Sequence, residues 1–301
     1  MKKYILFSFI GLISQTVLGQ ATFQGQAIYE SKRSVDEMTR NVRMQGANIT
    51  PEMEAQMKER LRKAFEKTYI LNFDRTNSTY KEEEKLEATG NQGSVRLMMA
   101  SMTGGGGTYF KDVKDKSYTV DKDFMGKEFL VKDSLTTFNW KMSGDTKKIG
   151  DYTAYKATAV IPVDGSDLTY YRPRKPQTKE PVVEKDKTKD NTNSEQKTNF
   201  FSQMELPKEK SITAWYTPEI PVNQGPADYW GLPGLILEVN VGTTTIICSK
   251  VIINPKEKLD IKLPKKGKAI TQKEFNDITT KKMEEMADQF QGGRRSINIT
   301  R

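Results

Sequence analysis

The sequence predicts an α+β protein: a mainly antiparallel, strongly curved β-sheet or half-barrel, with a long helix in the N-terminal half and a C-terminal helix packed against it. Three observations lead there. Short β-type runs recur at the ~8–12-residue spacing of antiparallel meanders, with no helices between them. Two stretches instead repeat apolar residues with the 3.6-residue period of an amphipathic helix. Turn-forming residues punctuate the runs, as at Asp133-Ser134 and Ser143-Gly144-Asp145.

The elements follow in order. Met1-Lys2-Lys3, the apolar run Tyr4 to Leu18 and Val17-Leu18-Gly19 before Gln20 have the layout of a secretory signal peptide, with cleavage expected after Gly19. Residues 1–19 are therefore read as a leader and 20–301 as a single domain. The run is short for a membrane span and holds Ser8, Ser14, Gln15 and Thr16. The only cysteine is Cys248, so a lipid-accepting cysteine is missing and a lipoprotein is not expected. The expected location is periplasmic or secreted, with no transmembrane segment after cleavage.

Thr22 to Glu30 reads as a first strand. Thr50-Pro51 then caps a helix, with Met53, Met57, Leu61, Ala64 and Phe65 on one stripe and Glu52 and Glu54 at its positive end. The predicted strands are 69–73, 78–82, 109–113, 117–120, 128–131, 138–142, 154–162, 212–217, 235–241 and 243–253. From 172 to 210 the pattern gives way to Lys, Glu, Asp, Asn, Thr and Pro, which reads as a disordered charged loop between two strands. Thr271 and Glu274 form a capping box for the last helix. Phe275, Ile278, Met283, Met286, Ala287 and Phe290 form its apolar face, and Gly292-Gly293 is expected to stop it.

Composition narrows function. The chain has no histidine, which excludes Ser-His-Asp and Cys-His catalysis and histidine zinc sites. Cys248 lies in a β-branched run and reads as a small buried hydrophobe. The net charge of +9 falls to +7 once Lys2 and Lys3 leave with the signal peptide. The basic residues are interleaved with acids, as in Lys58-Glu59-Arg60, so nucleic acid is not an expected partner. Gly104–Gly107 lacks the Gly-Lys-Ser/Thr of a phosphate loop, and Ser194-Glu195-Gln196-Lys197 falls in the charged loop, where no pocket forms. Among the acids, Glu82 and Glu84 share a strand face without an identified second group. Met98, Met99 and Met102 are thioethers of the kind that suit Cu(I).

Trp230-Gly231-Leu232-Pro233-Gly234-Leu235-Ile236 carries the hexapeptide of the GLPGLI family, and the chain resembles that family from about Phe23 to Met286. The flanks agree: Trp215-Tyr216-Thr217, Ile220-Pro221-Val222 and Gly225-Pro226 before the motif, Leu237-Glu238-Val239 after it, and Trp140-Lys141, Lys147-Lys148-Ile149-Gly150 and Tyr155-Lys156-Ala157 upstream. Tyr155 stands where many relatives carry a cysteine. The resemblance implies an exported protein of Gram-negative bacteria rich in outer-membrane nutrient receptors, with no assigned activity.

Read physically, Gly231 and Gly234 permit positive φ or close backbone approach, and Pro233 fixes the bend between them. Leu235, Leu237 and Val239 then alternate with Ile236, Glu238 and Asn240 as in a half-buried strand. One reading of the motif is a structural corner. The other makes Trp215, Tyr216, Tyr229 and Trp230 a recognition rim. No catalytic, cofactor-binding or metal residues are assigned, and no cofactor is expected. The expected function is non-catalytic: a binding or accessory module for an envelope protein, peptide or lipid, with an outer-membrane or periplasmic protein as partner. The alternatives are a carboxylate-dependent hydrolase of an envelope or carbohydrate substrate, or copper handling through the methionines.

Overall fold

The computed structural model describes residues 23–36, 50–83, 106–163, 172–173, 204–205 and 207–295. In chain order they form β1 (Gln24–Arg33), α1 (Pro51–Phe65), β2 (Lys67–Asp74), β3 (Asn77–Glu82), β4 (Thr108–Asp112), β5 (Ser117–Phe124), β6 (Lys127–Ser134), β7 (Lys141–Ile149), β8 (Tyr152–Pro162), β9 (Arg172–Pro173), β10 (Met204–Glu205), β11 (Glu209–Thr217), β12 (Leu235–Val241), β13 (Thr244–Ile253), β14 (Lys268–Ile270) and α2 (Gln272–Arg295). Twelve strands make one open sheet in the order β14-β6-β5-β4-β3-β2-β1-β13-β12-β11-β8-β7, and β9 and β10 form a separate two-stranded ribbon. The sheet is mixed, because β14 runs parallel to β6 while the other pairings are antiparallel.

This corrects the expected α+β architecture. Neither helix forms a layer on the sheet, and the N-terminal-half helix is short. Thr50 caps α1, accepting the Met53 amide at 3.3 Å. The helix then spans 15 residues, and Met53 on its apolar stripe is 56% exposed. Its contacts lie at the end of β1, where the Arg33 guanidinium sits 5.6 Å over the Phe65 ring and Lys32 meets Glu66. Helix α2 has the capping box, Thr271 and Glu274 each accepting the other's amide. It docks through its first turn: Phe275 meets Phe124 and Phe129 edge-on, and Lys122 caps its ring face at 4.6 Å. One helical turn later Ile278 is already 37% exposed, and the helix continues through Gly292-Gly293 to Arg295.

The sheet does the packing itself, by curling. Strands β6 and β7 lie near opposite edges, ten positions apart in the order, which is about 48 Å on a flat sheet at ~4.8 Å per strand. Yet only residues 135–140 join them, and seven steps of chain reach at most about 25 Å. The two edges must therefore come towards each other, and 135–140 bridges them. This is also why the strand expected at 138–142 is absent until Lys141: Phe138 is buried in the bridge.

Each face of the curl is then covered by irregular chain. The inner face carries Ala27, Tyr29, Leu71, Phe73 and Tyr80, all buried beneath residues 218–234, the connection from β11 to β12. The outer face carries Gln26, Asn72 and Thr79, polar side chains that need no helical layer. A strap, residues 254–267, crosses this face from β13 to β14. It receives the Thr79 hydroxyl at the Asp260 carbonyl (3.1 Å), donates the Leu259 amide to Gln24, and pairs Lys266 with Glu128.

Because Phe275 is the buried aromatic through which α2 docks, Phe275→Ala should cost about 3 kcal/mol in chemical denaturation and speed amide exchange throughout α2. Unchanged exchange in α2 would show that other contacts anchor it.

Candidate functional site

The connection 218–234 acts as a plug, and the sequence reasons for its shape are local. Leu232, Leu235 and Ile236 are fully buried, each contributing about 1.5–3 kcal/mol by leaving water. Gly231 adopts φ +92°, a conformation that favours glycine. Gly234 has no room for a side chain: a Cβ there would lie 2.1 Å from the Thr217 carbonyl oxygen. Between them Pro233 sits at a tight turn in which the Gly234 amide donates to Leu232 at 2.8 Å. The chain is stitched to itself by Leu235 to Ile220 and by Ile236 to Gln224. With the plug on one face, β12 is buried on both, so the expected half-buried alternation is not found.

Three inner-face side chains hold the plug and the strand it leads into. The Tyr29 hydroxyl of β1 donates to the Ile236 carbonyl at 2.7 Å, and the Ser78 hydroxyl of β3 donates to the Gln224 side chain at 2.9 Å. The third is Lys111 of β4, completely buried, whose Nζ donates to the carbonyl oxygens of Gly225 (3.0 Å), Ala227 (3.0 Å) and Tyr229 (2.9 Å). An ammonium has three protons and here meets three backbone acceptors. Burial pulls its pKa down to about 7, against the opposing pull of the nearby Asp228 charge.

Around Lys111 the inner face carries tyrosines on five successive strands. Tyr69 stacks on Tyr80 at 4.7 Å, Tyr109 stacks on Tyr118 at 5.0 Å, and Tyr29 meets Tyr80 edge-on. Burial raises the pKa of Tyr29, Tyr80 and Tyr109, so these phenols stay neutral. Sequence reasoning missed Lys111. The available signal was its parity: it shares a strand face with Tyr109, not with Phe110 and Asp112.

The four aromatics read as a recognition rim do not share one surface. Tyr229 is buried in the plug with its ring 5.7 Å from Phe138. Trp230 lies beside it and is tied to the bridge by reciprocal bonds: its Nε1 donates to Thr136, and Trp140 Nε1 donates to the Trp230 carbonyl. Tyr216 is buried further along the inner face, against Tyr155. Trp215 points to the outer face, where Lys147 lies 4.3 Å over its ring and 2.6 Å from the buried Glu238 carboxylate. Asn240 donates to that carboxylate and accepts from Thr245, so the acid is fully partnered.

The remaining candidates separate in the same way. Cys248 is buried in β13, and burial pushes its thiol to about 12, far from a nucleophile's range. Glu82 is ion-paired with Lys67 at 2.8 Å. Glu84, Met98, Met99, Met102, Ser194 and most of the 172–210 segment lie outside the described residues. Among the described residues no three acidic or cysteine side chains converge as metal ligands.

A groove of about 550 Å³ does open on the outer face, between the strap and the floor of β1–β5. Its floor includes Ile70, Asn72, Lys81 and Asp121, and its wall is Asp260 to Lys265. The lining comes from six separate stretches of chain, β1 to β5 and the strap, and no sequence pattern links them.

With this geometry in place, the comparisons can be set beside it. Residues 140–238 match the family model Porph_ging, described as a protein of unknown function. The matched stretch runs from Trp140 in the bridge to Glu238 in β12, and so contains the whole plug. No curated protein matches the chain. Two solved structures of PNGF-II, in C2 and P21 space groups, align with 86% of this chain at 13% identity and a TM-score of 0.45. This chain spans 33% of the length of each.

The Lys111 cage makes two predictions. Lys111→Met leaves three buried carbonyls without a donor and should destabilise the fold by about 3 kcal/mol, read by urea denaturation. The pH dependence follows from linkage. With a pKa near 7 folded and an ordinary lysine value unfolded, the folded state binds fewer protons from pH 7 upward. The Lys111 contribution to stability should therefore rise between about pH 7 and 9.5, and this rise should be missing in Lys111→Met. A wild-type slope that survives in the variant would place the titrating group elsewhere.

Proposed function

We propose that this chain is a GLPGLI-type, exported, non-catalytic binding module of the cell envelope, working in the periplasm or beyond it. The groove beneath the strap carries this reading: it is a formed recess of a size suited to a small ligand, lined by side chains of both charges and by amides and hydroxyls. Two of its acids are tied to lysines, Asp260 to Lys262 at 2.9 Å and Glu82 to Lys67 at 2.8 Å, which favours recognition over an acid–base pair. The plug fits the same view. Its aromatic and glycine residues are consumed in holding the curl together, which leaves the outer face to meet a ligand.

The leader at 1–19 supports export, and the single buried cysteine suits a compartment where exposed thiols oxidise. The hydrolase alternative would require Glu82 to leave its ion pair with Lys67 and work with a second acid.

Two measurements test the proposal. Expressed in a Gram-negative host and fractionated, the protein should be recovered outside the cytoplasm with an intact mass beginning at Gln20. Recovery of the uncleaved chain in the cytoplasm would overturn export. Assayed on chromogenic glycosides, the purified protein should show no turnover, and turnover that falls in Glu82→Gln would overturn the non-catalytic reading.

A further inference from the structure

The strap carries a large share of the chain's charge. Residues 254–268 hold six lysines (Lys256, Lys258, Lys262, Lys265, Lys266 and Lys268) against Glu257 and Asp260, a net +4 in 15 residues of a chain whose total is +9. A charge run is ordinarily a solvated face, so its placement decides what it can do. All six lysines are exposed, Lys262 at 83% and Lys266 at 77% of the side chain. Lys262 is paired with Asp260 and Lys266 with Glu128, whereas among the described residues Lys256, Lys258, Lys265 and Lys268 form no ion pair. The strap is pinned through its backbone, at the Asp260 carbonyl and the Leu259 amide, which leaves these side chains to solvent. It crosses from β1 to β6 on the outer face, which is convex because the sheet curls about its inner face. The lysines therefore stand on the outermost layer, where a broad flat partner reaches them together. Among them sits Leu263, 43% exposed, in the sequence Lys262-Leu263-Pro264-Lys265.

We propose that the strap docks this protein on the surface of an anionic phospholipid bilayer, with its lysines at the headgroups and Leu263 dipping among them. Each lysine held near an anionic membrane surface strengthens binding about fivefold, and the effect fades within a Debye length of about 8 Å. This is attraction between a row of charges and a charged plane, and it needs no shaped pocket. The composition fits, because the strap has lysines and no arginine. Ammonium groups act as compact point charges, whereas planar, bidentate recognition of a single phosphate favours arginine. A soluble polyanion would satisfy the lysines but would have no use for an exposed leucine between them. Docking through the four lysines outside ion pairs breaks no contact that holds the fold. The groove walled by Asp260 to Lys265 then lies at the membrane interface. The inference adds a docking surface to the binding-module reading and does not depend on what the groove holds.

The test is co-sedimentation of the purified protein with vesicles of phosphatidylcholine, alone or with about 30 mol% phosphatidylglycerol. The protein should pellet with the anionic vesicles and not with the neutral ones. Salt at about 0.5 M, which shortens the Debye length to a few ångströms, should release it. Changing Lys256, Lys258, Lys265 and Lys268 together to Gln should weaken binding about a hundredfold. The same charge change at Lys114, Lys116, Lys141 and Lys148, exposed in the β4–β5 turn and on β7, should weaken it by about fivefold at most. Leu263→Ser should weaken it about threefold and leave the salt dependence unchanged. A leader still attached would be common to all variants, so the differences between them read the strap. Equal pelleting with neutral and anionic vesicles, or equal loss in the two lysine variants, would overturn the inference. Strap-dependent retention on heparin without vesicle binding would overturn it in favour of a soluble polyanion. The two readings fail separately: a protein that docks on anionic vesicles but stays in the cytoplasm sinks only export, and an exported protein that ignores them sinks only the docking surface.

Discussion

A single buried amine fixes the organisation of this protein. Lys111 projects from β4 into the interior and takes three carbonyls of a connection that begins and ends on β11 and β12, whose nearer member lies five positions away in the sheet. On a flat sheet that distance would be about 24 Å, and the connection covers it by running back across the inner face. The contact with Lys111 then holds residues 225–229 of that connection against β4. Burying a lysine is costly without full hydrogen bonding, and here each proton has an acceptor. The grip therefore tolerates little change in the position of residues 225–229, and those residues position Tyr229, Trp230 and the turn at Gly231–Gly234.

The same constraint explains what the sequence showed and what it hid. Alternation found most of the strands, and Thr50-Pro51 and Thr271/Glu274 marked both helix starts, because these signals depend on neighbours along the chain. The architecture was misjudged where remote residues decide. An apolar stripe in α1 suggested a helix lying on the sheet, but the inner face was already filled by the plug and the outer face is polar. Phe138 and Trp140 look like strand residues, yet they belong to a bridge whose path is set by how far the sheet edges are apart. Gly292-Gly293 is a strong stop signal in isolation, and α2 nevertheless continues past it.

The motif at 230–236 was legible as a turn feeding a core strand. Its glycines serve two different needs, positive φ at Gly231 and close approach at Gly234. The four aromatics read as a rim do not share one surface, because adjacent residues such as Trp215 and Tyr216 diverge to opposite faces and Tyr229 turns inward. The groove was beyond reach altogether. It needs Ile70, Lys81, Asp121 and the strap to be brought together by strand order, and strand order is what a single sequence leaves open. The division of labour is physical: aromatics and glycines hold the inside, while polar side chains of ordinary strands make the outside recess.

The most direct test of this account is lysine acylation footprinting of the native protein, read by mass spectrometry. Lys114 and Lys116, exposed in the turn just beyond β4, should be modified rapidly at neutral pH, while Lys111 stays unmodified until the protein is denatured. Modification of Lys111 in the native state, at a rate like that of its neighbours, would mean that the amine does not hold the plug.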